Sequence, residues 1–178
     1  MSPPADNFPA CLAFVWAPDR DGQPYHVDAN DPGGATAWGV THETWEDARG
    51  SGLVSGDLAD ASRAGLATVL RTNYYDRCHC DQLSPGPDLA VFNMAMLSGD
   101  GEAERILQIV LGVTVDGVIG PITLAAANAM DPTVLIEALT TRDEAFFASL
   151  PGARYFQRGW DRRADDCRVA ALAMVATA

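Results

Sequence analysis

The sequence predicts a mainly α-helical fold carrying one short β-hairpin or irregular segment near its N-terminus. Three observations predict it. Most of the chain reads as apolar residues at helical spacing, as in Leu66, Val69, Leu70 and Tyr74. Prolines and glycines mostly fall between those stripes, at Pro87, Gly99, Pro121 and Pro132. Residues 19–41 have no helical period and concentrate Gly22, Pro24, Pro32, Gly33 and Gly34.

The elements follow in order. Asp6 and Asn7 cap a first helix, FPACLAFVWA, which Pro18 stops. Short extended pieces are expected near Tyr25–Val27 and Ala37–Val40. HETWEDARG forms a short helix ended by Gly50 or Gly52, and ADASRAGLATVLRTNYYDR a stronger one. After LSPGP, the nearly all-apolar DLAVFNMAMLSG reads as a buried central helix that Gly99 ends. EAERILQIVLG follows, with Ile106, Ile109 and Val110 on one side. A tight turn in VDGVIG then leads into a helix with Pro121 in its first turn. Val113, Val115, Val118 and Ile119 are expected to pack that loop onto the fold. Asp131-Pro132 starts a further helix by the same logic, and PGARYF to the end forms one long or broken helix.

Composition narrows the function. The 178 residues are 48% hydrophobic and 20% charged, ordinary for a globular chain long enough to bury a core. No run of about 18 apolar residues exists, so no membrane insertion is expected. The first 22 residues have no basic n-region, so no signal peptide is expected. Synthesis in the cytoplasm is expected, with export supplied by something else. The net charge of −12 argues against nucleic acid and against charge-driven adsorption to anionic surfaces. Cys78-His79-Cys80 lacks the C-x2-C spacing of zinc sites, and only His26 and His42 remain to complete a set, so no metal is expected. Cys11 and Cys167 read as buried thiols. HETWE, from His42, lacks the second histidine of a zinc-protease helix.

Several segments together resemble one family. DPGGATAWGVT (Asp31 to Thr41) resembles the signature of glycoside hydrolase family 108, the N-acetylmuramidases of phage endolysins and bacterial lytic secretion systems. NYYDRCHCDQL and VFNMAMLSG resemble the family's later segments. LQIVLGVTVDGVIGPITLAA resembles the predicted peptidoglycan-binding region that follows, and GWDRR its end. The resemblance spans about residues 8 to 165. It implies a lysozyme-like fold, with a catalytic region over 1–86 and a helical peptidoglycan-binding-like region over 87–178 packed as one unit. It also implies peptidoglycan glycan strands as the partner, a monomer, no cofactor, and passage to the periplasm or cell wall by a holin or secretion machinery.

Hydrolysis of a glycosidic bond needs a proton for the leaving oxygen and support for an oxocarbenium-like transition state. The family places the acid in a Glu-Gly-Gly-Tyr segment. Here Tyr25 matches the tyrosine, but no glutamate precedes it; the first in the chain is Glu43. Counting from the first helix puts the acid at Asp19; counting back from Asp31 puts it at Gly22, beside Asp21. Asp19 is the first candidate and Asp21 the runner-up. An aspartate reaches about 1.5 Å less far than a glutamate, comparable to a misplacement worth about 100-fold in rate. Asp31 and Thr36 resemble the pair that positions the attacking water in phage-type lysozymes, although Asp31 also suits a plain Asx turn. Gly33 and Gly34 serve positive φ or close approach to a sugar. Tyr25, Trp38 and Tyr74 are candidates to stack on sugar rings, and His26 to hydrogen-bond substrate. Asn93, a buried amide, needs partners that are either structural or in the cleft. Arg162 and Arg163 are expected to pair with Asp161, Asp165 and Asp166. The alternative is a peptidoglycan-binding module that has lost its acid.

Overall fold

The computed structural model describes residues 6–17, 23–27 and 34–177. By internal packing the chain divides into residues 8–73 and the remainder. Among the described residues it is mainly α, with eight α-helices and one small antiparallel sheet.

In residues 8–73, α1 (Phe8–Val15) buries Phe8, Cys11 and Val15, the one face that three- and four-residue spacing produces. The sheet has strands β1 (His26–Val27), β2 (Ala35–Ala37) and β3 (Val40–Thr41) in that order. His26 is opposite Thr36, and Thr36 is opposite Thr41. The extended piece expected over 37–40 is instead broken by a turn. Trp38 and Gly39 have φ of 51° and 82°, the signs of a two-residue turn whose twist suits a hairpin. That turn adds a third strand where the sequence pointed to two. The Thr41 hydroxyl then accepts from the Thr44 amide at 3.3 Å and caps α2 (His42–Gly50). Trp45 of α2 is buried, with its indole N–H donating to the Gly56 carbonyl at 3.0 Å.

The strong helix expected from Ala59 starts later. Residues Leu58–Asp60 form a 3-10 turn, and α3 (Arg63–Leu70) begins after Ser62, whose hydroxyl accepts from the Gly65 amide at 3.1 Å. Leu66, Val69 and Leu70 of its predicted stripe are buried, while Tyr74 falls beyond α3 and is half-buried. Over Arg71–Tyr75 the backbone widens into a π-helical turn.

The remainder is a helical bundle. α4 (Pro87–Ser98) is its centre, buried from Pro87 through Ala95, and Gly99 ends it. α5 (Asp100–Leu111), α6 (Pro121–Ala129), α7 (Pro132–Ser149) and α8 (Ala153–Val175) follow, the last unbroken. Asp131 caps α7 by accepting from the amides of Thr133 at 2.9 Å and Val134 at 3.1 Å. α7 and α8 pack along their lengths and both touch α4. The loop before α6 departs from expectation. Of its apolar residues only Ile119 is buried, while Val115 and Val118 face outward. Buried Gln108 holds the loop instead, donating to Asp116 Oδ1 at 2.7 Å and the Val118 carbonyl at 3.0 Å, and accepting from the Gly117 amide at 2.8 Å. One amide thereby satisfies the polar groups of a turn that apolar packing cannot.

Candidate active site

The sheet gathers four of the candidate residues. Side chains alternate along β2, so Ala37 faces the core with Val40 while Thr36 shares the opposite face with His26 and Thr41. The Thr36 hydroxyl is buried and has no hydrogen-bond partner among the described residues. Such a group costs about 1–3 kcal/mol unless something completes it. His26 is exposed, and its Nδ1 lies 2.9 Å from the Pro24 carbonyl. A carbonyl only accepts, so Nδ1 carries the proton, and a neutral ring keeps Nε2 as an acceptor directed elsewhere. Tyr25, just before β1, is 45% exposed. Gly34 has φ of 69°, the positive backbone angle that glycine adopts most readily.

Trp38 sits at the turn in a backbone region that bulky residues rarely adopt. Three contacts hold it. Its amide donates to the Gln23 carbonyl at 2.8 Å, and its carbonyl accepts from the Trp16 indole at 2.9 Å. The third is Arg63, whose guanidinium lies 3.6 Å from the Trp38 ring centroid and 4.1 Å from that of Trp16. The two rings meet edge to face at 5.8 Å. Sequence reading found Trp38 but missed Trp16 and Arg63. Their meeting joins positions 16, 38 and 63, and no local pattern encodes it. Asp19, Asp21 and Asp31 lie outside the described residues.

Tyr74 and Asn93 belong to the helical remainder. Tyr74 is half-buried in the π-helical turn. Asn93 is 1% exposed, and its Oδ1 accepts from Arg163 Nε at 2.8 Å. Its partner is therefore internal. Arg163 corrects an expectation as well. Arg162 faces Asp166 on the surface at 3.9 Å, but Arg163 turns inward. Helical spacing puts it on the face of α8 that buries Ala164 and Cys167.

Asp143 lies beside it, 4% exposed, with an Oδ1 that accepts nothing among the described residues. Burial pushes its carboxyl up to about 7 against the pull of Arg163, with Glu144 adding to the push. The unfolded chain releases this proton near pH 4 and the folded chain near 7, so stability falls as pH rises between those values. The loss is on the order of 4 kcal/mol. Asp143→Asn is expected to flatten that fall and to raise stability at pH 8. Denaturant midpoints at pH 5 and pH 8 for both proteins check it.

The comparisons bear on this geometry. Residues 16–99 match the family model Glycosyl hydrolase 108, and residues 102–165 match Predicted Peptidoglycan domain. The solved structure of Brucella abortus SagA aligns at 31% identity with a TM-score of 0.83, over 96% of this chain and 94% of that one. No curated protein sequence matches. The chain belongs to the glycosyl hydrolase 108 family.

This family member is a peptidoglycan hydrolase, and its second matched segment is a peptidoglycan-binding one. The first match encloses the whole sheet with Trp16, Thr36, Trp38 and Arg63. The second encloses the Gln108-held loop, where Thr114, Asp116, Val118 and Ile122 line an open groove. No group of three or more His, Cys, Asp or Glu side chains able to hold a metal occurs among the described residues. All four cysteines are buried. Burial, reinforced by Glu104 and Asp100, pushes the Cys78 thiol up to about 12, where it is inert as a nucleophile.

Proposed function

We propose that this glycosyl hydrolase 108 member is an N-acetylmuramidase that cleaves the β-1,4 bond between N-acetylmuramic acid and N-acetylglucosamine. It would act at the cell wall, as an endolysin or a secretion-associated lytic enzyme. The observation that carries the reading is the buried Thr36 hydroxyl, without a hydrogen-bond partner among the described residues, on the strand that follows Asp-Pro-Gly-Gly. A fold gains nothing from such a group, whereas a hydrolase gains a fixed point for water or substrate. In this reading Asp19 delivers the proton to the leaving oxygen. Asp31 and Thr36 hold the attacking water, and His26 and Tyr25 contact the glycan.

The test is digestion of purified sacculi. Reducing ends terminating in N-acetylmuramic acid support the reading. Anhydro-muramyl products, or release of peptides alone, overturn it. The absent family glutamate favours a second reading, a binding module without chemistry; wild-type protein that pellets with sacculi but releases no reducing ends supports that one. Thr36→Val separates catalysis from structure. It removes a hydroxyl that has no partner among the described residues, so the melting temperature is expected to stay level or rise. Turnover is expected to fall by about 10- to 100-fold if water positioning is lost.

A further inference from the structure

We propose that Arg63, stacked on Trp16 and Trp38, forms a carboxylate-binding subsite that reads the muramyl side of the substrate; this rests on the peptidoglycan reading above. Three observations point there. Arg63 is exposed, and no carboxylate among the described residues pairs with it, in a chain that carries 24 acidic residues and only 12 basic ones. Several arginines elsewhere in the chain do find acidic partners. Arg49 pairs with Glu46 and Asp57, Arg77 with Asp100, and Arg168 with Glu137 and Asp165. Without an ion pair among the described residues and held by two rings, the exposed Arg63 guanidinium is available to an anion from outside.

The second observation is geometric. Two indoles hold the guanidinium, with its carbon 3.6 Å and 4.1 Å from their centroids. A guanidinium held by ring contact still carries an in-plane N–H fork, the group suited to bidentate carboxylate recognition. Trp38 takes a left-handed backbone to make its part of this contact. Backbone strain of that kind persists where the surroundings hold it, and it gathers at ligand sites.

The third is position along the chain. Trp16 stands three residues before Asp19, Trp38 two residues after Thr36, and the whole cluster lies within the catalytic family segment. The substrate supplies the matching chemistry. A muramyl sugar bears a lactyl carboxyl group, free when the stem peptide is absent. When the stem is present, its own residues carry carboxylates. An N-acetylglucosamine unit bears none. The subsite also explains how a protein with a net charge of −12 meets an anionic polymer: by one shielded local cation and not by its overall field.

The experiment uses the full chain and measures binding through tryptophan fluorescence and co-sedimentation, whether or not cleavage occurs. The probes are stem-bearing glycan, glycan stripped of its stems by an amidase, and a chitin oligosaccharide of equal length. Arg63→Gln is expected to weaken binding of the muramyl probes by about 10-fold or more and to leave the chitin oligosaccharide unchanged. Arg63→Lys, which keeps charge but loses the fork, should fall between. A loss on stripped glycan assigns the lactyl carboxylate; a loss on stem-bearing glycan alone assigns the stem. Equal affinity of wild type and Arg63→Gln for both muramyl probes overturns the subsite, and so does an equal loss on all three probes. Matching melting temperatures exclude misfolding. Failure of wild-type protein to release reducing ends overturns the muramidase reading, while the subsite is still judged from binding.

Discussion

Replacing Asp19 by Ala is expected to lower the rate of reducing-end release from sacculi by about 10²- to 10⁴-fold, the span a positioned proton donor contributes to such a cleavage. The leaving sugar oxygen is a poor leaving group unless protonated as the bond breaks, and an alanine has nothing to give. Asp21→Ala, made in parallel, stays within a few-fold of wild type if the donor is Asp19. Asp19→Glu restores the side chain that the family uses and adds about 1.5 Å of reach. Activity above wild type in that variant indicates an enzyme weakened by a short acid. Activity below it indicates a backbone already adjusted to aspartate. The pH profile gives an independent reading. A general acid must be protonated to act, so wild-type activity falls on the alkaline side, and Asp19→Ala loses that limb along with the rate. Exchange of the two phenotypes, with Asp21→Ala inert, moves the donor to the runner-up.

Much of the helical architecture was legible because proline, glycine and capping residues punctuate it. Gly99, Pro121 and the Asp131-Pro132 pair each stand at a helix boundary where the sequence placed one. The π-helical turn at Arg71–Tyr75 was not legible. Its residues continue the stripe of α3, and what decides the backbone there is distant packing: Tyr75 is buried against Phe92, ring centroids 5.6 Å apart, and its hydroxyl donates to Asp88 Oδ2 at 3.4 Å. The same division holds in the site. Thr36 stands out because it belongs to a run of turn and polar residues that a plain loop does not require. Arg63 does not, because an arginine at the start of a helix following a serine cap is an ordinary surface residue until two distant indoles close on it. Arg163 was misread for the converse reason. Its acidic neighbours in sequence are close along the helix surface, whereas its partner Asn93 is 70 residues away.

The largest effect on folding is expected at Gly86, the residue that precedes the central helix. Its φ of 97° is one that side-chain-bearing residues rarely take. A Cβ there would stand 2.6 Å from the Ala171 carbonyl oxygen, 2.8 Å from Val175 Cγ2 and 3.0 Å from Ile136 Cδ1. The first of these is backbone inside α8, so relief requires moving the helix and not a side chain. Nor is the glycine free to retreat. Its amide donates to Asp88 Oδ1 at 2.7 Å, the same oxygen that accepts from the Leu89 amide at 2.7 Å. This carboxylate satisfies the first turn of a buried helix, and burial pushes its pKa up although those hydrogen bonds oppose the shift. Gly86→Ala therefore combines backbone strain with overpacking, together about 3–5 kcal/mol. Against a total stability of roughly 5–15 kcal/mol, that is a fall in melting temperature of about 10 °C or more. Gly56→Ala supplies the comparison, since Gly56 has φ of 80° but nothing within 4 Å of its Cβ position. It carries the strain without the collision and should cost only about 1–2 kcal/mol. Thermal melts of the two variants separate the terms. A larger fall at Gly86 measures the contact with α8, and equal falls would mean that the end of α8 yields at little cost.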